Sequence, residues 1–265
     1  MDIINGKALR DELVRYIEKW FMENGRGTAV IGISGGKDSA VVAGLCFEAL
    51  GRDRVVGVLM PDGNQADISD SYRVCDTLGI RRMTADVGAA CAALKACADA
   101  ALGSYGWYAL NGGRAMSASD GALINVPPRA RMTILYTVAQ SLSEFQGEHA
   151  AVIGTGNKSE RMVGYFTKGG DGMCDMNPIG DLWAEEVVAV GETMGRYLEV
   201  IHKAPSDGLC GQTDEDRLGF TYEQERLVLS GHASELPRDV VRKILAMRDR
   251  SEHKRRLPDM YVRAS

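Results

Sequence analysis

Leu9, Leu13, Ile17 and the Trp20–Phe21 pair recur at steps of three or four positions, so residues 2–24 read as an amphipathic helix with one apolar face. Thr28–Ile33 (TAVIGI) follows as a short β-rich run leading into glycine-rich sequence. Lys37–Leu50 carries a helical pattern stopped by Gly51, and Arg54–Met60 is a second strand closed by Pro61. Ala66–Leu78 is a further helix stopped by Gly79, and Arg81–Val87 a third strand. Strand, helix, strand, helix, strand at this spacing predicts right-handed crossovers and an α/β fold, a doubly wound parallel sheet flanked by helices.

The second half continues the pattern less regularly. Ala89–Leu102 is alanine-rich and helical, and Arg129–Phe145 places Met132, Leu135, Val138, Leu142 and Phe145 on one stripe. Ala150–Thr155 is a fourth buried strand. Gly169–Asp181 and Ala204–Gly219 are rich in Gly, Asp, Pro and Ser and read as long loops, a length usually retained for function. A last helix is expected near Leu236–Met247, followed by a basic tail.

Composition narrows the class. The chain has 265 residues, 45% hydrophobic and 25% charged, which excludes disordered and fibrous classes and suffices for a substantial core. A net charge of −5 argues against broad nucleic-acid binding, although residues 238–256 hold eight Lys or Arg against three Asp or Glu. No apolar run approaches the ~20 residues that span a bilayer. The start of the chain lacks a basic segment followed by an uninterrupted apolar one. Six cysteines without a C-x-x-C pair read as reduced thiols rather than a disulfide framework or zinc site. The expectation is a single cytoplasmic domain over residues 1–265, with neither a membrane nor a nucleic acid as partner.

The strongest local signal is Gly32-Ile33-Ser34-Gly35-Gly36-Lys37-Asp38-Ser39, at the carboxyl end of the first strand and the start of the first crossover helix. Glycines let backbone N–H groups approach an anion, and a helix N-terminus adds unpaired donors. It is not a Walker A loop: only three residues separate Gly32 from Gly36-Lys37, and Asp38 follows. Nor is the G-x-G-x-x-G dinucleotide fingerprint present.

The segment resembles the SGG-x-DS pyrophosphate loop of the Rossmann-like N-type ATP pyrophosphatases. That resemblance implies cleavage of ATP between its α and β phosphates and transfer of AMP to a carbonyl or carboxylate oxygen. Four further segments narrow it: Asn125–Met132 (NVPPRARM), Gly154–Glu160 (GTGNKSE), Gly164–Gly172 (GYFTKGGDG) continuing to Asp175, and Lys203–Ser206 followed by Gln212–Glu215 and Tyr222. With Glu252–Arg255 near the end, the order of motifs is similar to that of the ammonia-dependent NAD synthetases.

The resemblance implies that the carboxylate of deamido-NAD attacks ATP to give an NAD-adenylate and pyrophosphate. Ammonia then displaces AMP. Gly32 to Ser39, with Thr155 and Ser206, match ATP-contacting positions, and Asp38 and Glu160 match ligands of Mg²⁺. Arg129, Lys168, Asp175, His253 and Lys254 match positions that contact deamido-NAD. Asp171, Lys37 and Asp214 stand as candidate catalytic groups, Asp171 first, because an acid must hold ammonium while it loses a proton.

Three departures bear on ATP affinity: Ala184 stands where relatives carry a Lys, Gly169 where they carry an aromatic, and Pro127-Pro128 where they carry Lys-Ala. Lys203 or Lys37 is available to compensate for the first. No second region for hydrolysing glutamine is evident, so free ammonia is the expected nitrogen source. The 132–145 stripe and the alanine-rich helix before it offer more apolar face than one sheet flank needs, so a two-fold homodimer interface is expected there, as in the resembled family, whose deamido-NAD site lies across the subunits. The alternatives are another adenylating member of the class (tRNA-modifying or GMP-forming) or an inactive nucleotide-binding homologue.

Overall fold

The computed structural model describes residues 4–63, 65, 68–105, 116–203 and 214–263. Its sheet is built from β1 (Arg26–Gly32), β2 (Val55–Leu59), β3 (Arg81–Thr84) and β4 (His149–Ile153), all parallel, in the order β3-β2-β1-β4. Around it lie α1 (Gly6–Glu23), α2 (Lys37–Leu50), α3 (Ile68–Leu78), α4 (Gly88–Ser104), α5 (Asp120–Leu123), α6 (Val126–Gln146) and α7 (Lys158–Val163). The chain continues through α8 (Ala184–Glu192), α9 (Leu198–Ile201), α10 (Asp214–Leu218), α11 (Tyr222–Leu229), α12 (Arg238–Arg250) and α13 (Glu252–Arg255).

Both faces of the sheet are buried, which is why TAVIGI shows no polar alternation. Ala29 and Ile31 of β1, Leu59 of β2 and Ile153 of β4 pack against α1, α2, α3, α8 and α9. Val30, Val56, Val58 and Val152 pack on the other side against Ala130, Met132, Leu135 and Ala139 of α6, with Cys91 of α4 at the margin. A third cluster joins Val163 of α7, Ala184 of α8, Leu218 of α10, Tyr222 and Val228 of α11 and Ile244 of α12.

The expected elements are present with shifted ends, each for a local reason. The first helix begins at Gly6 because Asn5 caps it, its side chain accepting from the Ala8 N–H at 3.0 Å. The sixth starts at Val126, with Pro127 and Pro128 in the first turn, where a missing N–H costs nothing. The last long helix runs over Arg238–Arg250, behind Pro237, rather than 236–247. Strand β3 stops at Thr84 and is exposed throughout, its two arginines guarding the sheet edge.

Two expectations are corrected. Residues 214–218, read as part of a loop, form α10, whose Leu218 is buried; residues 204–213 lie outside the described ones. The 132–145 stripe is largely spent inside the molecule: Met132 and Leu135 are buried, Val138 and Leu142 pack partly against the same cluster, and only Phe145 stands out, 89% exposed. Helix α4 buries no residue.

Successive crossovers carry the chain from β1 through β2 to β3, and β4 then joins β1 on its opposite edge. The connections leaving β1 and β4 diverge, opening a crevice at the carboxyl ends of these two strands, where open α/β sheets bind ligands.

Candidate active site

A cavity of about 840 Å³ fills that crevice. One wall is the glycine loop. Gly35 takes φ +82°, and a Cβ there would stand 3.1 Å from Ser71 Oγ, so only glycine makes the turn without strain. Ser34 and Ser39 lock it: their hydroxyl oxygens are 3.1 Å apart, the Gly36 N–H donates to Ser34 Oγ and the Ser34 N–H to Ser39 Oγ. No side chain caps α2, so its first N–H groups remain available to an anion.

Behind the loop is a dense charge cluster. Lys37 is only 6% exposed, and its Nζ donates to Asp38 Oδ2 at 2.8 Å. Burial pulls its pKa down, but the charges of Asp38 and Glu160, with a contribution from Asp214, outweigh that and raise it. Asp38 Oδ1 accepts from the Asn157 side-chain amide at 3.2 Å. Asn157 is also the N-cap of α7: its Oδ1 accepts from the Glu160 N–H at 3.0 Å, while Glu160 Oε2 accepts from the Asn157 N–H at 3.1 Å. The Glu160 carboxyl lies well above the usual range because burial, then the Asp38 charge, disfavour its anion more than Lys37 favours it.

The facing wall is the segment from Phe166 to Cys174. Asp171 opens to the cavity while its Oδ1 accepts from the Thr167 N–H at 2.9 Å; surrounding protein raises its carboxyl against that hydrogen bond. Lys254 reaches over from α13, donating to the carbonyls of Gly164 and Phe166 at 2.8 and 2.7 Å. Burial lowers its pKa, opposed by the Asp171 charge. Asp214 also lines the cavity; it is buried, and its Oδ2 accepts from the Tyr222 hydroxyl at 3.1 Å. That phenol is held protonated, its pKa raised by burial and then by the charges of Glu160 and Asp214.

The structure thus brings Gly32, Ile33, Ser34, Gly36, Lys37, Asp38 and Ser39 to one cavity with Thr155 and Glu160. Asp171, Asp214 and Lys254 line it too. Gly35 shapes the turn behind it. Arg129, Lys168 and His253 lie outside that cavity, chained together on the outer side of the 164–172 loop: Arg129 Nε donates to the Lys168 carbonyl at 3.3 Å, and Lys168 Nζ to the His253 carbonyl at 2.8 Å. Asp175 also lies off the cavity, its Oδ2 accepting from the Val152 N–H at 2.8 Å and its own N–H donating to the Val152 carbonyl, so it extends the sheet beyond β4. Ser206 lies outside the described residues.

Several residues stand in the quoted motifs without having been given a role from sequence. Asn157 was legible as the first position of an Asn-x-x-Glu capping box. Arg131 lines the cavity with its Nε bound to the Met60 carbonyl at 2.9 Å, and nothing in the pattern separates it from its neighbour Arg129. Tyr222 was singled out only as part of its motif, and no sequence pattern pairs its hydroxyl with Asp214. Lys203 does line the cavity, in an ion pair with Asp70 at 2.8 Å. Ala184 is buried at the start of α8.

A crevice at the strand reversal, floored by a glycine loop and a bare helix N-terminus, places the chain among nucleotide-binding α/β enzymes. Its sequence matches the NAD synthase family over residues 9–258. The NH(3)-dependent NAD(+) synthetase of Pyrococcus furiosus is 34% identical over 264 residues, 94% of this chain and 93% of that one. The NH(3)-dependent NAD(+) synthetase of Methanococcoides burtonii is 36% identical over 278 residues, covering 98% and 95%. The solved structure of NMN synthetase from Francisella tularensis aligns with a TM-score of 0.81 and 29% identity over 98% of this chain and 99% of that one. The chain belongs to the NAD synthase family.

Proposed function

We propose that this cavity carries out the ATP-dependent amidation of deamido-NAD by ammonia, through an adenylated carboxylate, with release of AMP and pyrophosphate. The carrying observation is the joining of the glycine loop to the Asp38–Asn157–Glu160 cluster on one cavity wall. A free carboxylate resists attack by ammonia, whereas its mixed anhydride with AMP accepts it. Backbone donors that take the two terminal phosphates as a unit favour pyrophosphate as the leaving group. Met60, Met132 and Leu135 give the cavity an apolar part suited to a base.

Asp38 and Glu160 would hold Mg²⁺. Two carboxyls from different strand ends disfavour each other's charge, and a cation relieves that. Among the described residues no group of three His, Cys, Asp or Glu forms a cage, which suits an ion that keeps water and substrate phosphates as ligands. When bound, it neutralises charge on the phosphate oxygens. Asp171 would hold ammonium in the cavity. Arg129, Lys168 and His253, on the outer face, would meet the far end of deamido-NAD, and the exposed α4 and Phe145 would lie at a homodimer interface. The five described cysteines are free, which supports a reducing, cytoplasmic setting. No helix among the described residues is long and apolar enough to cross a membrane.

The test is the complete reaction with ATP, Mg²⁺, ammonium or deamido-NAD omitted in turn, scored for NAD and AMP. Both products require all four components. Because one structural neighbour bears the name of an NMN synthetase, the mononucleotide acid is offered in parallel; the synthetase relatives favour the dinucleotide.

A further inference from the structure

We propose that Tyr222 is a positioning residue for the nucleotide site, its hydroxyl holding the Asp214 carboxylate in the wall of the cavity that Lys37, Asp38 and Glu160 also line. The inference rests on the reading that this cavity binds ATP.

The ring is anchored from several sides. Tyr222 opens α11 directly after Thr221, whose capping box with Gln224 is complete on both sides, at 3.1 and 3.0 Å. Its ring is buried in the cluster with Leu218, Phe220 and Val228. Its N–H donates to Glu215 Oε1 at 2.9 Å and its hydroxyl to Asp214 Oδ2 at 3.1 Å, so one residue grips two successive side chains of α10. Packing does not call for the hydroxyl, since a phenylalanine ring would fill the same apolar space.

What the hydroxyl does is aim a carboxylate. Asp214 and Lys37 line the same cavity, and Asp214 acts on the Lys37 charge together with Asp38 and Glu160. Asp38 and Glu160 are the pair that would face a divalent cation, and Lys37 already binds Asp38 Oδ2. Releasing Asp214 takes one of three carboxyls out of its place on the wall around Lys37 and disturbs the site that would take the metal–nucleotide complex. Weaker ATP binding follows, with no change at the deamido-NAD end.

The experiment compares Tyr222→Phe, Asp214→Asn and the double variant of the full chain. It measures binding of the uncleavable α,β-methylene analogue of ATP with Mg²⁺ by calorimetry, and the separate KM values for ATP and deamido-NAD. A hydrogen bond to a charged group sets the expected loss at about tenfold in each single variant. The double variant is no weaker than the worse single one, because both break one contact. The KM for deamido-NAD and the melting temperature of Tyr222→Phe stay near the parent's. Parental affinity in Tyr222→Phe, or losses that multiply in the double variant, overturns the proposal. Should Tyr222→Phe fail to fold, Asp214→Asn alone decides, a tenfold loss supporting and parental affinity refuting. A parent chain that binds the analogue yet makes no NAD refutes the functional reading and leaves this one standing; a parent that binds none overturns both.

Discussion

Asn157 donates its side-chain amide to Asp38 Oδ1 at 3.2 Å, joining residues 119 positions apart in the chain. The same side chain caps α7 and orients Glu160, so one buried amide sets the relation between the loops after β1 and β4. Replacing it with alanine removes the cap and one partner of Asp38. The expected loss is about 1 kcal/mol of stability and, from disordering residues behind the phosphate site, roughly 10- to 100-fold in kcat/KM for ATP. Thermal melts and steady-state kinetics of Asn157→Ala check both.

Glu225 governs a pH dependence of stability. It is 0% exposed, and neither carboxyl oxygen meets a hydrogen-bond partner among the described residues. Burial, assisted by the Glu185 charge, pushes its pKa from 4.5 to about 8. Between those two values the folded chain keeps a proton that the unfolded chain gives up. Stability is therefore lost as pH rises through that window and levels off above it. Glu225→Gln removes the effect: it is expected to stabilise by about 4 kcal/mol at pH 8, with the gain vanishing near pH 4.5. Denaturant unfolding across that range measures it; an equal gain at both ends contradicts the assignment.

On the proposed function, Asp171 is the acid that would hold ammonium. Asp171→Asn keeps the size and an acceptor for the Thr167 N–H but loses the charge. A rise of about tenfold or more in KM for ammonium, with KM for ATP unchanged, is the expected outcome. Full turnover at limiting ammonium would remove Asp171 from the mechanism.

Gly35→Ala tests the turn itself. Its φ of +82° and the 3.1 Å approach of Ser71 Oγ both oppose a Cβ. The expected cost is about 1–2 kcal/mol of stability, with weaker ATP binding, because the strain is relieved by moving the N–H groups that line the loop. Calorimetric ATP titration reads the second effect.

The sheet and its crossovers were legible because buried strands are uninterrupted apolar runs bounded by Gly or Pro; Lys37–Leu50 was read to the residue, between Gly36 and Gly51. The glycine loop was legible because a tight strand-to-helix turn with a positive φ at Gly35 constrains composition. The short helices were not. Asp214–Leu218 is five residues, DEDRL, with no apolar period, and becomes a helix through the burial of Leu218 and the grip of Tyr222. Exposed Arg129, Lys168 and His253 leave no periodic trace, so only the family resemblance singled them out. The use of the 132–145 stripe was misread because a helix pattern shows that a face is apolar without showing what covers it.

The central claim is that the substrate carboxylate attacks the α-phosphate of ATP. It is tested most directly with deamido-NAD carrying ¹⁸O in its carboxylate, followed by mass spectrometry of the nucleotide product after one turnover. The account predicts AMP bearing one ¹⁸O in its phosphate, beside unlabelled pyrophosphate. ADP, or AMP without label alongside NAD, would contradict it.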